Sequence, residues 1–299
     1  MLKHIYKKRN NIFLKQIYHT VFYLFIYIFS SYITVQAASI PVGNGNQYVQ
    51  IKDVSFQVFT YKPLCTVKEI LIVFHGSGRN SDKYRKNARK IADKHCMVIV
   101  APVFEKDIFP KWRYQFGGIF HKGKQQPLSS WGLNYVDALI AWVRQEEGGN
   151  LPVSLIGHSA GGQFLSRLTA FSNIQAHKII IANPSTYVWP DLTIKAPFGL
   201  GNVYSESQGN RALENYLKAS VVIILGEEDT GSDGRDNSVN AVKQGLTRYE
   251  RGKNVFAAAQ EVSRRNGYVL NWKLITLKGV GHSSRKVFQS SEVINLFEQ

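Results

Sequence analysis

Short, unbroken apolar runs, each followed by glycine or a reactive polar residue, recur along this chain and restrict its fold more than any other feature. EILIVFHGSG (69–78), MVIVAPVF (97–104), LPVSLIG (151–157), HKIIIANP (177–184), SVVIILGEED (220–229) and NWKLITLKG (271–279) have strand length and little polar alternation. Runs of this kind are strands buried on both faces. Helix-patterned stretches lie between them: SDKYRKNARKIADKH (81–95), an amphipathic segment at 129–149 with a glycine stop, SAGGQFLSRLTAF (159–171) and NVFAAAQEVSRRNG (254–267). The alternation predicts an α/β class, with a mostly parallel central sheet and helices on both faces. YVQIKDVSFQVFTYKP (48–63) alternates like edge strands or a hairpin, and VFQSSEVINLFEQ (287–299) reads as a closing helix.

The first residues differ in kind. Lys3, Lys7, Lys8, Arg9 and Lys15 precede the apolar stretch VFYLFIYIF (21–29), and small residues gather around Ala37 and Ala38. Basic start, apolar middle and small-residue end describe an export signal. Residues 1–38 are therefore read as a signal peptide and 39–299 as one α/β domain. The rival reading is an uncleaved anchor, because 17–35 carries no charged side chain apart from any charge on His19. Export to periplasm or medium follows, with membrane association only through this segment. The chain has 299 residues and is 44% hydrophobic, enough for one sizeable core. Its formal net charge of +16 includes five charges from the leader, which leaves about +11 on the rest. No basic patch interleaved with aromatics suggests a nucleic-acid partner.

Reactive residues collect at the ends of the predicted strands, where α/β sheets place their sites. His75-Gly76-Ser77-Gly78, Gly157-His158-Ser159-Ala160-Gly161, Gly226-Glu227-Glu228-Asp229 and Gly279-Val280-Gly281-His282 each follow one such strand. A serine hydroxyl needs a base to become a nucleophile, and a carboxylate holds the imidazole in the right tautomer. Ser159 is the expected nucleophile, His282 the base and Asp229 the acid, with Glu227, Glu228, Asp233 and Asp236 as competing acids. The order Ser, acid, His is the one expected on an α/β-hydrolase sheet. Backbone N–H groups of Ala160 and Ser77 are the expected oxyanion donors. His158 and His75 are assigned to packing and loop shaping.

Together these motifs resemble the α/β-hydrolase superfamily. Within it, the HGSGRN loop, GHSAGG elbow, LGEEDT acid turn and GVGH turn resemble secreted bacterial esterases of the poly(3-hydroxybutyrate) depolymerase-like or feruloyl-esterase-like branch. The resemblance implies a serine esterase working through an acyl-enzyme, with the roles above on Ser159, Asp229 and His282. The oxyanion loop reads HGSG where many polymer depolymerases carry cysteine, and no polymer-binding or linker region is apparent. Both departures favour a small-molecule or oligomeric ester.

Substrate contacts are expected from the aromatic insertion FPKWRYQFGGIF (109–120) and from a small cap or lid at 183–215. Trp112, Tyr114 and Trp189 are the candidates. Cys65 and Cys96 each precede a strand and could form a disulfide or remain buried thiols. The acidic loop TGSDGRDN (230–237) does not have EF-hand spacing, and no metal or cofactor motif is present. An amidase or peptidase using the same triad, or a non-catalytic binding protein on the same fold, are the alternatives.

Overall fold

The computed structural model describes residues 40–298, so the leader reading of residues 1–38 lies outside the described residues. The described chain builds one eight-stranded sheet in the order β1-β2-β4-β3-β7-β8-β9-β10. β1 (Gly43–Ile51) and β2 (Val54–Lys62) form the expected hairpin at one edge, and β2 runs antiparallel to β4 (Met97–Pro102). From β4 onwards, through β3 (Glu69–Phe74), β7 (Val153–His158), β8 (Lys178–Ala182), β9 (Val221–Gly226) and β10 (Trp272–Leu277), every pairing is parallel. β5 (Phe120–His121) and β6 (Lys124–Gln125) are a separate small ribbon.

Alternate residues of the parallel strands feed two cores. Ile70, Ile72 and Phe74 face one side of β3, and Leu71 and Val73 face the other. The first side is covered by α2 (Tyr135–Glu147), α3 (Ala160–Phe171), α4 (Glu206–Lys218) and α6 (Arg248–Asn266), the last preceded by the single turn α5 (Val239–Val242). The second is covered by α1 (Ser81–His95) and the short C-terminal helices α7 (Ser284–Phe288) and α8 (Ser291–Ile294). Coverage of both faces is what the unbroken apolar runs require, and β4, β7 and β9 are buried along their whole length.

The order of the strands also locates the site. After β3 the chain crosses to β4 on one side and then returns to β7 on the other. Helices therefore leave β3 and β7 in opposite directions and open a crevice beyond the carboxyl ends of these two strands. The loop after β3 begins with His75, and the loop after β7 holds Ser159.

Three helix boundaries depart from the sequence reading. α2 starts at Tyr135, after 3-10 turns at Leu128–Ser130 and Gly132–Asn134. The chain there is held by the aromatic insertion: the Gly132 N–H donates to the Gly117 carbonyl at 3.0 Å, and Trp131 Nε1 to the Gln126 carbonyl at 3.0 Å. α6 begins earlier than its apolar pattern, at a capping box of Thr247 and Glu250. The closing helix is split, because Ser290 leaves the helical conformation and its hydroxyl accepts from the Val293 N–H to start a new turn.

The cap segment between β8 and α4 is packed down. Arg167 of α3 is fully buried and donates to the carbonyls of Thr186 (2.7 Å) and Pro197 (3.1 Å), while the Tyr216 hydroxyl holds the Val188 carbonyl at 2.9 Å. Among the described residues no helix is long and apolar enough to cross a membrane.

Cys65 and Cys96 are joined as a disulfide, which resolves the open pairing. It ties the start of β3 to the start of β4, at the end of the sheet opposite the crevice. The sequence separation of 31 residues places the chain-entropy contribution at about 3.5 kcal/mol. Cys65→Ser/Cys96→Ser should therefore unfold at a clearly lower urea midpoint, by roughly that free energy. An unchanged midpoint would remove the bridge from the stabilising contacts.

Candidate active site

Ser159 occupies the turn between β7 and α3 with φ 58 and ψ −117, a left-handed conformation that a residue with a side chain adopts only under constraint. The constraint comes from its neighbours. Its N–H donates to the Ala182 carbonyl of β8 at 2.9 Å, and its carbonyl accepts from Gln163 of α3 at 3.0 Å. The flanking glycines are needed because nothing larger fits. A Cβ on Gly157 would overlap the Gly161 backbone, and one on Gly161 would overlap the Phe74 and His75 carbonyls. A Cβ on Gly76 would stand 3.9 Å from that of Ser159, so the loop after β3 lies directly beside the elbow. Ser77 is exposed on that loop, and Ala160 is the first residue of α3.

Three strand ends meet at the serine. His282 Nε2 lies 3.0 Å from Ser159 Oγ, and His282 Nδ1 lies 2.7 Å from Asp229 Oδ2. The Asp229 side chain is 1% exposed and that of His282 31%. The buried carboxylate fixes the imidazole from behind while the ring edge towards the serine stays open. Glu227 and Glu228 point out to solvent, Glu227 accepting from Thr276 Oγ1 at 2.9 Å, so Asp229 alone of the neighbouring acids reaches the histidine. Backbone bonds from Glu228 N–H to the Val280 carbonyl (3.0 Å) and from Glu227 N–H to the Leu277 carbonyl (3.1 Å) lock the acid turn to the histidine turn.

The other two histidines are interior. The Phe104 N–H donates to His75 Nε2 at 3.0 Å, so the ring proton sits on Nδ1 and faces the Gly76 carbonyl at 2.8 Å. Burial pushes the His75 ring down to about 3, and it is neutral at ordinary pH. His158 is also driven well below the usual histidine range, first by burial and then by the nearby His282. Its ring packs on His282 with centroids 4.5 Å apart, and Tyr84 Oη approaches its Nδ1 at 3.4 Å.

Of the expected substrate contacts, Tyr114 is corrected. Its side chain is fully buried, and its hydroxyl donates to the His75 carbonyl at 2.8 Å. Arg79 covers the ring at 4.3 Å and donates to the Phe109 carbonyl at 2.7 Å. Tyr114 thus shapes the loop after β3 and has no surface left for a substrate. Trp112 is half-buried and stacks on His121 at 4.4 Å, while Trp189 is half-buried against the core. Arg248 was invisible in the sequence pattern: it is buried in the first turn of α6, and its Nη1 reaches Asp229 Oδ1 at 3.2 Å. Among the described residues no group of three His, Cys, Asp or Glu side chains gathers to hold a metal ion.

No protein-family model matches the sequence, and no curated protein does. Solved structures do. The poly(3-hydroxybutyrate) depolymerase LpqC of Bordetella parapertussis is 28% identical with a TM-score of 0.78, over 86% of this chain and 91% of its own. The chain has the α/β-hydrolase fold. It is equally similar to poly(aspartic acid) hydrolase-1 of Sphingomonas sp. KT-1, at 27% identity and TM-score 0.79 over 87% of this chain and 100% of that one. An IroE-like serine hydrolase of Shewanella oneidensis shares the fold at 10% identity and TM-score 0.54, over 85% and 80% of the two chains.

The two buried rings give this fold a defined acid response. Each is neutral when folded but titrates near 6.5 when unfolded, so the unfolded chain binds more protons below that pH. The stability they contribute is complete above pH 6.5 and is lost as pH falls below it, for His75 down to about 3, at up to about 1.4 kcal/mol per pH unit for each ring. Urea midpoints measured from pH 7 to pH 4 should fall accordingly. A flat profile across that window would contradict two buried neutral histidines.

Proposed function

We propose that this chain is an exported serine hydrolase that cleaves carboxylic esters through an acyl-enzyme. The observation that carries the reading is the continuous line Ser159 Oγ, His282, Asp229 at 3.0 and 2.7 Å, set on a strained elbow at the switch point of the sheet. His282 Nε2 takes the Ser159 proton as Oγ attacks the ester carbonyl carbon. Backbone N–H groups of Ser77 and Ala160 receive the oxyanion, the second at the positive end of α3. The tetrahedral intermediate collapses, its alcohol leaves with the proton from His282, and the acyl group stays on Ser159. Water then attacks the acyl carbon, giving up its proton to His282, and release of the acid returns that proton to Ser159. Trp112 and Trp189, on the two insertions above the sheet, are the proposed substrate contacts.

Export rests on the basic, apolar and small-residue order of the first 38 residues. The Cys65–Cys96 disulfide supports it, since such bridges persist in oxidising compartments. A second reading is favoured by the poly(aspartic acid) hydrolase at 27% identity: the same triad would then act on amide bonds of an acidic polymer, which the net positive charge would attract.

Ser159→Ala should lower turnover of p-nitrophenyl butyrate by at least about 10⁴-fold with the fold intact. Full activity in that variant would end the nucleophile assignment. Parallel assays on graded acyl esters and on poly(aspartate) separate the two readings. Failure of a fluorophosphonate to label Ser159 in folded protein would favour a non-catalytic binding role.

A further inference from the structure

The proposed triad does not end at its acid. Asp229 is an almost fully buried carboxylate, and its two oxygens are used separately: Oδ2 faces His282 at 2.7 Å, and Oδ1 faces Arg248 Nη1 at 3.2 Å. A neutral imidazole offers one N–H and no charge, which is too little to hold an ionised carboxylate away from water. The Arg248 guanidinium, 2% exposed, supplies the missing charge. It also grips the chain that follows the acid, with Nη2 donating to the Asp233 carbonyl and Nη1 lying 3.5 Å from that of Gly231. One planar group therefore sets both the rotation of the carboxylate and the path of its loop.

The position of Arg248 has no local explanation. It is the first residue of α6, just after the Thr247 cap, where the helix dipole favours acidic side chains and opposes a cation. Arginine is also seldom buried without a partner that requires it. Arg251, on the same turn and equally buried, provides a built-in comparison. It donates to the carbonyls of Ser185 (2.6 Å), Asp236 (2.9 Å) and Gly245 (2.9 Å) and so ties the end of the same loop to two other turns by backbone contacts alone.

We propose that Arg248 is a positioning residue of the active site, acting through Asp229 to hold His282 in line with Ser159. The proposal rests on the triad reading and extends it to a fourth side chain. No proton moves to or from Arg248; its contribution is the fixed orientation of the Asp229 carboxylate, and through it of the imidazole.

The test is a double-mutant cycle on full-length protein with p-nitrophenyl butyrate, every variant first checked for a cooperative thermal transition. Arg248→Gln should lower kcat by about 10- to 100-fold, the usual effect of removing an outer partner of a site residue, with KM within about twofold. Arg248→Lys keeps the charge but not the fork, and should recover part of the loss; if Arg248→Gln does not fold, this variant carries the cycle. In an Asp229→Asn background the same Arg248 substitution should change kcat by less than about threefold, because the group it acts through is already altered. Arg251→Lys should lower the thermal midpoint more than it lowers kcat. Wild-type kcat in a folded Arg248 variant, or the same full loss in both backgrounds, would overturn the proposal. Fluorophosphonate labelling of wild-type Ser159 separates the two levels: no labelling removes the triad reading itself, whereas labelling with an additive cycle removes only the role of Arg248.

Discussion

The left-handed backbone of Ser159 is the constraint around which the rest of the molecule is arranged. At φ 58 the residue is held where a side chain is unfavourable, at a typical cost of about 1–3 kcal/mol, and the surrounding structure must over-determine it. It does so from three sides. β8 accepts the serine N–H, α3 starts immediately after it, and β3 presses its last carbonyls against Gly161. The glycines of the elbow are consequences of that crowding. Strain at one residue is thus maintained by the packing of the whole parallel sheet.

The same crowding explains why much of the site was legible in the sequence. A strand buried on both faces writes itself as an apolar run, and the residue after the run is the one delivered to the carboxyl edge. Ser159, Asp229 and His282 each stand at such an end, and the structure brings them together. The sequence favoured Asp229 but left Glu227 and Glu228 as competitors, and the turn pinned by the Gly226 carbonyl is what sends Asp229 inward. Arg248 could not be read, because its partner comes from a different element and its place in α6 runs against helix preference. Tyr114 looked like a pocket aromatic because a loop of rings has no periodicity to say which ring is inside. Its burial is set by a distant carbonyl, that of His75, and by Arg79 above it.

Buried arginines recur as the device that organises irregular chain. Arg167 gathers the segment after β8, Arg248 gathers the loop after β9, and Arg251 joins the two through Ser185 and Asp236. These segments lack the regular backbone bonding that helices and strands supply for themselves, and their buried carbonyls still need donors. A guanidinium offers several donors in one rigid plane, so a single side chain can satisfy two or three carbonyls from separate turns. The connections that rise above the sheet are consequently fixed from beneath, while their outer faces, with Trp112 and Trp189, remain partly open.

The contact between His158 and His282 has its own consequence. In the proposed cycle His282 becomes a cation twice per turnover, once for each tetrahedral intermediate, with another imidazole packed on its ring at 4.5 Å. Had that neighbour been free to protonate, like charges would meet across the contact whenever the medium turned mildly acidic. Burial keeps His158 neutral well into acid, so the backing of His282 has the shape and polarisability of an imidazole without its charge. The elbow histidine behaves there as a flat, uncharged wall against which a transient cation can form.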